Sequence, residues 1–329
     1  MAKVLVTGAN GFLGSWLVKG LLNEGHEVSV LVRKNSDVSE LAHLSCHYLY
    51  GDITNRESLI QAFQGQDSVF HLAGLIAYKK SEREKMDLIN VGGVENVIHA
   101  CKLNSVRRLV HLSSVTAIGA GFRPNQVLNE NSEYNVHHLN LGYFETKHQG
   151  ELLVREACAK KEIDAVILNP STIYGPGDAK KGSRKTQIKV ARGEFPFYTS
   201  GGVNVVAVED VVHGILSAWN IGRTGERYIL AGENLTIEQL FTEIARAANV
   251  EPPRLYMPNF ALHTLGYFGD LLSTFGFSSS ISSENAWTAT LYHWFDSTKA
   301  QNELHFCPSS ARQAIEKSVG WMAEHGLLK

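Results

Sequence analysis

The stretch VTGANGFLGSW, residues 6–16, decides how the rest of the chain is read. Gly8, Gly11 and Gly14 fall between a short apolar run, KVLVTG, and an amphipathic one, FLGSWLVKGLLNEG. Glycine permits a tight turn, close approach of backbone to a ligand, and close helix packing. A helix starting at such a turn directs unpaired N–H groups and its positive end toward an anion. The spacing G-x-x-G-x-x-G between strand and helix predicts a cradle for the pyrophosphate of a dinucleotide. Phe12, Leu13, Trp16, Leu17, Leu21 and Leu22 line one side of that helix, and Gly25 ends it.

Outward from this motif, apolar strands alternate with helices. HEVSVLVR, HYLYGD, SVFHLAG and RLVHLSS read as the second to fifth strands. TNRESLIQAFQG reads as a helix opened by a capping box of Thr54 and Glu57. A long helical segment lies near 82–103, and another helix carries Tyr143. DAVILNPS is a strand, and VNVVAV is a strand leading into EDVVHGILSAW. Strands this apolar belong in a parallel sheet covered on both faces. After about residue 173 the rhythm changes to loop-rich segments. A strand, a turn, a helix capped by Thr236 and Gln239, and a final amphipathic helix, ARQAIEKSVGWMAEHG, follow. The predicted fold class is α/β: a Rossmann-type doubly wound parallel sheet with a smaller C-terminal α/β substrate domain. Residues 1–172 and 203–224 are assigned to the dinucleotide-binding domain, and 173–202 and 225–329 to the substrate-binding portion.

Bulk properties narrow the function. The 329 residues are 44% hydrophobic and 19% charged, with net charge −2, so no global basic field points to nucleic acid. Cys46, Cys101, Cys158 and Cys307 lie far apart without a C-x-x-C, which fits reduced thiols and a cytoplasmic location. The start, MAKVLVTGANGF, lacks the pattern of a signal peptide. No run reads as a membrane span. The nearest, residues 259–277, is interrupted by His263, Asp270 and three glycines, and is read as a buried or pocket-lining helix. The 14 histidines form no H-E-x-x-H and no spaced Cys/His set, so no metal is expected.

Three local features carry chemistry. The second strand ends in VLVRKNSD, with Arg33 and Lys34 where an NAD site usually has an acidic residue for the ribose 2′-hydroxyl. A guanidinium binds a 2′-phosphate bidentately, so NADP is expected over NAD. The fifth strand ends in Ser113 and Ser114; adjacent strand residues point to opposite faces, so only one of these hydroxyls faces a ligand there. Tyr143 stands four residues before Lys147, one helical turn apart on one face. That spacing is common by chance, and it takes its meaning from its neighbours.

TGANGFLG, GD at 51–52, HLAG, INVGGVENVI, LSSVTAIG, YFETK and NPSTIYGPGD occur in the order and rough spacing of the extended short-chain dehydrogenase/reductases. The resemblance continues through VAVEDVVHGI, GERYILAGENLT and FDSTKAQNELHF, and so covers most of the chain. Within that superfamily the chain most resembles the dihydroflavonol reductase-like branch and the related bacterial epimerase/dehydratases. The resemblance implies that Tyr143 is the general acid/base and that Lys147 binds the nicotinamide ribose. It implies that Ser114 hydrogen-bonds the substrate oxygen, that Ser113 points away, and that Asn90 completes a proton relay. For the cofactor it implies Gly8, Gly11, Phe12, Leu13 and Gly14 at the phosphates, and Arg33 and Lys34 at the 2′-phosphate. Asp52 and Ile53 would lie at the adenine, Leu72, Ala73 and Gly74 along the cofactor, and Pro170 to Ile173 at the nicotinamide. A homodimer packed through helices near 90–103 and 143–160 is also implied. Gly74 and Thr146 depart only slightly from the usual pattern, and His148 reads as a solvated or satisfied histidine.

Elementary chemistry fits these roles. A tyrosine with an ordinary pKa of about 10 needs a shift of roughly 2–3 units to exchange protons near neutrality. A cation one turn away has the right sign. The reading is an NADP(H)-dependent oxidoreductase acting on a small-molecule ketone, aldehyde or alcohol. Phe195, Phe197, Tyr198 and the 259–277 stretch supply apolar surface for a partly hydrophobic substrate. The rival readings are a nucleotide-sugar epimerase or dehydratase that retains NAD(P), and a non-catalytic NADP-binding regulator.

Overall fold

A computed structural model describes residues 1–179, 184–274 and 282–329. Seven strands form one sheet: β1 (Lys3–Thr7), β2 (Glu27–Val32), β3 (His47–Tyr50), β4 (Ser68–His71), β5 (Arg108–Leu112), β6 (Ala165–Pro170) and, far along the chain, β10 (Arg227–Leu230). Every pairing is parallel, in the order β10-β6-β5-β4-β1-β2-β3. The order reverses direction between β1 and β4, and the crevice there is where an open α/β sheet binds ligands. Val4, Val6, Val28, Val30, Phe70, Val110, Val166 and Leu168 face one layer of helices, while Leu5, Leu31, Val69, Leu109 and Ile167 face the other. Burial on both faces explains why these strands read as unbroken apolar runs.

One layer holds α1 (Phe12–Asn23) and α7 (Val208–Ile221). The other holds α2 (Arg56–Ala62), α4 (Gly93–Leu103) and α5 (Gly142–Ala159). The long segment before β5 is helical throughout, but it comprises α3 (Arg83–Met86), a π-helical stretch over Asp87–Gly92, and α4. Gly25 follows α1 at φ +79°, the left-handed position a helix stop favours. The capping box expected at Thr54 and Glu57 is absent. Asn55 caps α2, its side chain accepting from the Ser58 amide, and Thr54 instead donates to Asp52. Thr54 is one residue too early because the turn from Asp52 takes it.

The smaller lobe holds β7 (Thr172–Tyr174), α6 (Lys185–Ala191), β8 (Phe197–Tyr198), β9 (Gly202–Ala207), β11 (Glu233–Thr236), α8 (Ile237–Ala247) and β12 (Leu255–Tyr256). It continues with α9 (Asn259–Thr274), α10 (Ser283–Thr290), α11 (Thr298–Leu304) and α12 (Ala311–Glu324). Thr236 and Gln239 form the expected capping box on α8. Two strands fall on the other side of the expected division. β9 lies between β7 and β11 in the small sheet, whereas β10 extends the large one beyond β6. Hydrophobic pattern alone does not distinguish them, since both are apolar and partner choice is a long-range matter. Phe195 and Tyr198 also differ from expectation: they pack on the small lobe's own core, Phe195 against Phe241. Among the described residues no helix is long and apolar enough to cross a membrane. α9 is not buried as expected, because Phe260, Leu265, Tyr267, Phe268 and Leu271 are exposed. Its inner side is closed down by Gly266, where a Cβ would meet Ser283 and Ala286 of α10 at 3.0 Å.

Candidate active site

The glycine turn is built by close backbone contact. Gly8 takes φ +69°, and a Cβ there would stand 2.7 Å from the Ala73 amide nitrogen. A Cβ on Gly14 would run into the Gly8 carbonyl and Ala9. Gly11 begins α1 without a side-chain cap, and no acidic residue stands in the first turn. A helix start with no side-chain cap and no acidic residue in its first turn fits the pyrophosphate of a dinucleotide. Leu13 is buried, and Phe12 packs partly on the same core. Asn10 donates to the Asp37 carbonyl at 3.0 Å, tying the turn to the segment after β2. There Arg33 and Lys34 are exposed and line a cleft of about 210 Å³ with Ser36, Tyr48 and Tyr50.

Asp52 accepts from the Thr54 amide at 2.9 Å and hydroxyl at 2.8 Å. Ile53 is buried in the core against Gly93, which leaves its backbone rather than its side chain to face an adenine. Leu72 and Ala73 follow β4, their amides donating to the Thr7 carbonyl and hydroxyl at 3.2 Å each. Gly74 faces Asn90, whose amide oxygen a Cβ would approach to 3.2 Å. Asn90 itself is a brace. Its oxygen accepts from the Leu75 amide at 2.8 Å, and its nitrogen donates to the Leu75 carbonyl at 2.9 Å and Thr146 at 3.1 Å. These bonds fix the Asn90 side chain between the segment after β4 and helix α5. Thr146 holds Asn90 in place, a role its position in YFETK did not announce.

Ser114, Tyr143 and Lys147 converge beyond the carboxyl end of β5. Ser114 Oγ accepts from the Thr116 amide at 3.2 Å, and the Ser114 side chain lies near enough to the Tyr143 phenol to favour its ionised form. Lys147 donates from Nζ to the Leu112 carbonyl at 2.8 Å, at the end of the same strand. Ser113 points away, donating to Glu151 at 2.6 Å, as strand alternation requires. His148 stacks on Tyr134 at 4.1 Å and bonds the Ala117 carbonyl, a satisfied histidine. Burial pushes the Tyr143 phenol above its ordinary pKa, Tyr78 adds to this, and Ser114 opposes it. The lowering expected from the neighbouring cation is not found: Ser114 supplies the one opposing effect, and desolvation outweighs it. Burial also lowers Lys147, to about 8, with Glu151 opposing.

Elements distant in sequence close over this group. Tyr78 meets Tyr143 edge-on at 6.3 Å, and its carbonyl accepts from Ser282 at the start of α10. Tyr143 shares an apolar cluster with Tyr134, Leu139 and Trp287. Glu284 on α10 accepts from the Gly142 amide at the head of α5. Pro170 ends β6 and Ile173 lies in β7; the Ile173 carbonyl is held by Arg184, which also pairs with Asp178 at 3.3 Å. Sequence reasoning missed Tyr78, Glu284, and the trio Glu151, Asn169 and Arg227. Only Glu151 had a local signal: it continues the four-residue spacing of Tyr143 and Lys147.

Comparison with known proteins gives the family and the fold. The model of the NAD dependent epimerase/dehydratase family matches residues 4–231. A protein of Synechocystis sp. provisionally named a dihydroflavonol 4-reductase is 32% identical over 98% of this chain and 95% of its own. Sterol demethylase protein B of Methylococcus capsulatus is 30% identical over 98% of this chain and 99% of its own. The crystal structure of gox2253 superposes with a TM-score of 0.88 at 31% identity, covering 100% of both chains.

Proposed function

The chain belongs to the NAD-dependent epimerase/dehydratase family, and from that premise we propose that it is an NADP(H)-dependent oxidoreductase that reduces a ketone or aldehyde, or oxidises the corresponding alcohol. The observation carrying this reading is the convergence of Ser114 and Tyr143, with Lys147 anchored on the Leu112 carbonyl, at the carboxyl edge of a sheet whose first turn is built of close-packed glycines. Bound NADPH supplies the hydride for the carbonyl carbon. Tyr143 donates its proton to the carbonyl oxygen, and Ser114 hydrogen-bonds that oxygen as negative charge develops. Burial keeps the Tyr143 phenol protonated, the form that reduction needs. Lys147 holds positive charge beside the phenol and the ribose. With NADPH and a panel of bulky ketones and aldehydes, Tyr143→Phe is expected to lose on the order of a hundredfold or more in NADPH oxidation. Its NADPH affinity should stay close to wild type. Undiminished turnover in this variant would refute the mechanism.

Arg33 and Lys34 support NADP over NAD, because no acidic side chain stands at the end of β2 to repel a 2′-phosphate. NADPH is expected to bind about tenfold more tightly than NADH, with Arg33→Ala removing most of the difference. Equal wild-type affinities in a fluorescence titration would end this assignment. The aromatic surroundings of Tyr143, the exposed apolar side of α9 and the sterol in one relative's name favour a partly hydrophobic substrate.

The family match supports one alternative, an epimerase or dehydratase that returns the hydride to a nucleotide sugar. Absorbance near 340 nm separates the two: steady NADPH consumption supports the reductase, and nucleotide-sugar turnover without net change supports the alternative. The homodimer reading stands on Leu103 of α4 and Leu152 of α5, both exposed on the layer expected to form the interface.

A further inference from the structure

Helix α5 carries a third charged group in register with Tyr143 and Lys147. Glu151 lies one turn beyond Lys147, and only 2% of it is exposed. One carboxylate oxygen accepts from the Ser113 hydroxyl at 2.6 Å and from Asn169 Nδ2 at 2.7 Å. The other meets the Arg227 guanidinium at 3.2 Å. Asn169 Nδ2 also donates to the Ser114 carbonyl at 2.9 Å. Arg227 is anchored in turn by the Glu130 and Ser132 carbonyls. One buried carboxylate thus links α5 to β5, β6 and β10 immediately behind the Ser114–Tyr143 pair.

A buried ion pair is an unfavourable way to fill space, since apolar side chains of similar volume often stabilise as well or better. Its charge therefore calls for another explanation. Tyr143 and Glu151 stand one helical turn to either side of Lys147 on α5, and His71 and His111 on β4 and β5 are near enough to be lowered by its charge. Both histidines are held neutral by burial, which leaves Glu151 as the anion acting on the ammonium among these groups.

We propose that Glu151, balanced by Arg227, is a positioning residue: it fixes the Ser114 backbone through Asn169 and supplies the buried negative charge that holds the Lys147 ammonium in place. This rests on the reading of Lys147 as a cofactor-binding cation. Removing the carboxylate lets Lys147 lose its proton more easily. Removing Arg227 strengthens the field of Glu151 and makes that loss harder. The two changes act in opposite directions, which a purely structural role does not predict.

The test is the NADPH dissociation constant by fluorescence from pH 6 to 10, for the full-length wild type and variants. Wild-type binding is expected to weaken through a midpoint set by Lys147, and Lys147→Met is expected to abolish that step. Glu151→Gln should move the midpoint down by about half a pH unit or more, and Arg227→Gln should move it up. Arg227→Lys should restore the wild-type midpoint. Uniform weakening at every pH with an unmoved midpoint overturns the proposal. A pH step that survives in Lys147→Met instead overturns the underlying reading of Lys147. Should Glu151→Gln fail to fold, the Arg227→Gln and Arg227→Lys pair decides alone: an upward shift reversed by lysine supports the proposal, and no shift overturns it.

Discussion

His71 and His111 show at single-residue scale how strongly this sheet's interior acts on a titrating group. They lie side by side on β4 and β5, with ring centroids 5.5 Å apart. Burial lowers His71 to about 3 and takes His111 well below its ordinary value. Each binds a proton more readily when the chain is unfolded, so their contribution to stability is lost as pH falls below about 6.5. For His71 alone this amounts to about 2 kcal/mol between pH 7 and pH 5. Urea titrations should show that loss. His111→Leu should reduce it, because it removes one of the two titrating rings; among the described residues neither His111 nitrogen has a partner, so the apolar replacement leaves nothing unpaired. Stability independent of pH over this range would count against the assignment. Gly8 makes the complementary point about shape. Gly8→Ala places a methyl against the Ala73 backbone at positive φ, and is expected to abolish NADPH binding while lowering thermal stability.

At the scale of single elements, α5 is the informative helix. The four-residue spacing in YFETKHQGE puts Tyr143, Lys147 and Glu151 on one stripe, and that much was legible in the sequence. What the stripe faces was not, since Leu112, Asn169 and Arg227 come from three different strands. Helix starts divide similarly. Thr236 and Gln239 cap α8 as their spacing predicted, whereas at α2 an equally good pattern yields to Asn55. Asn55→Ala is expected to cost about 1 kcal/mol in denaturant unfolding through loss of the cap. Thr54→Ala should leave the cap intact and cost less; the reverse ranking would restore Thr54 as the cap. α9 has the composition of a buried helix, yet it turns Phe260, Tyr267 and Phe268 outward because it packs on α10 through one side only.

At the scale of the whole molecule, the strand order and the position of β10 decide which residues share the site. α4 and α5 lie together on one layer and expose Leu103 and Leu152. Light scattering is expected to show a dimer that Leu103→Glu with Leu152→Glu converts to monomer; a monomeric wild type would remove the dimer from the proposal. By itself the sequence determined the parallel sheet, the glycine cradle, the basic end of β2 and the Tyr143–Lys147 pair. These depend on hydrophobic period, turn chemistry and helical spacing, all of which act over a few residues. Only the tertiary structure decided that β10 rather than β9 extends the large sheet, and that Asn90 is a brace. It also decided that Glu151 meets Arg227, 76 residues away. Those outcomes depend on which distant segments come into contact and on how much water burial removes, and neither quantity is written in any local stretch of the chain.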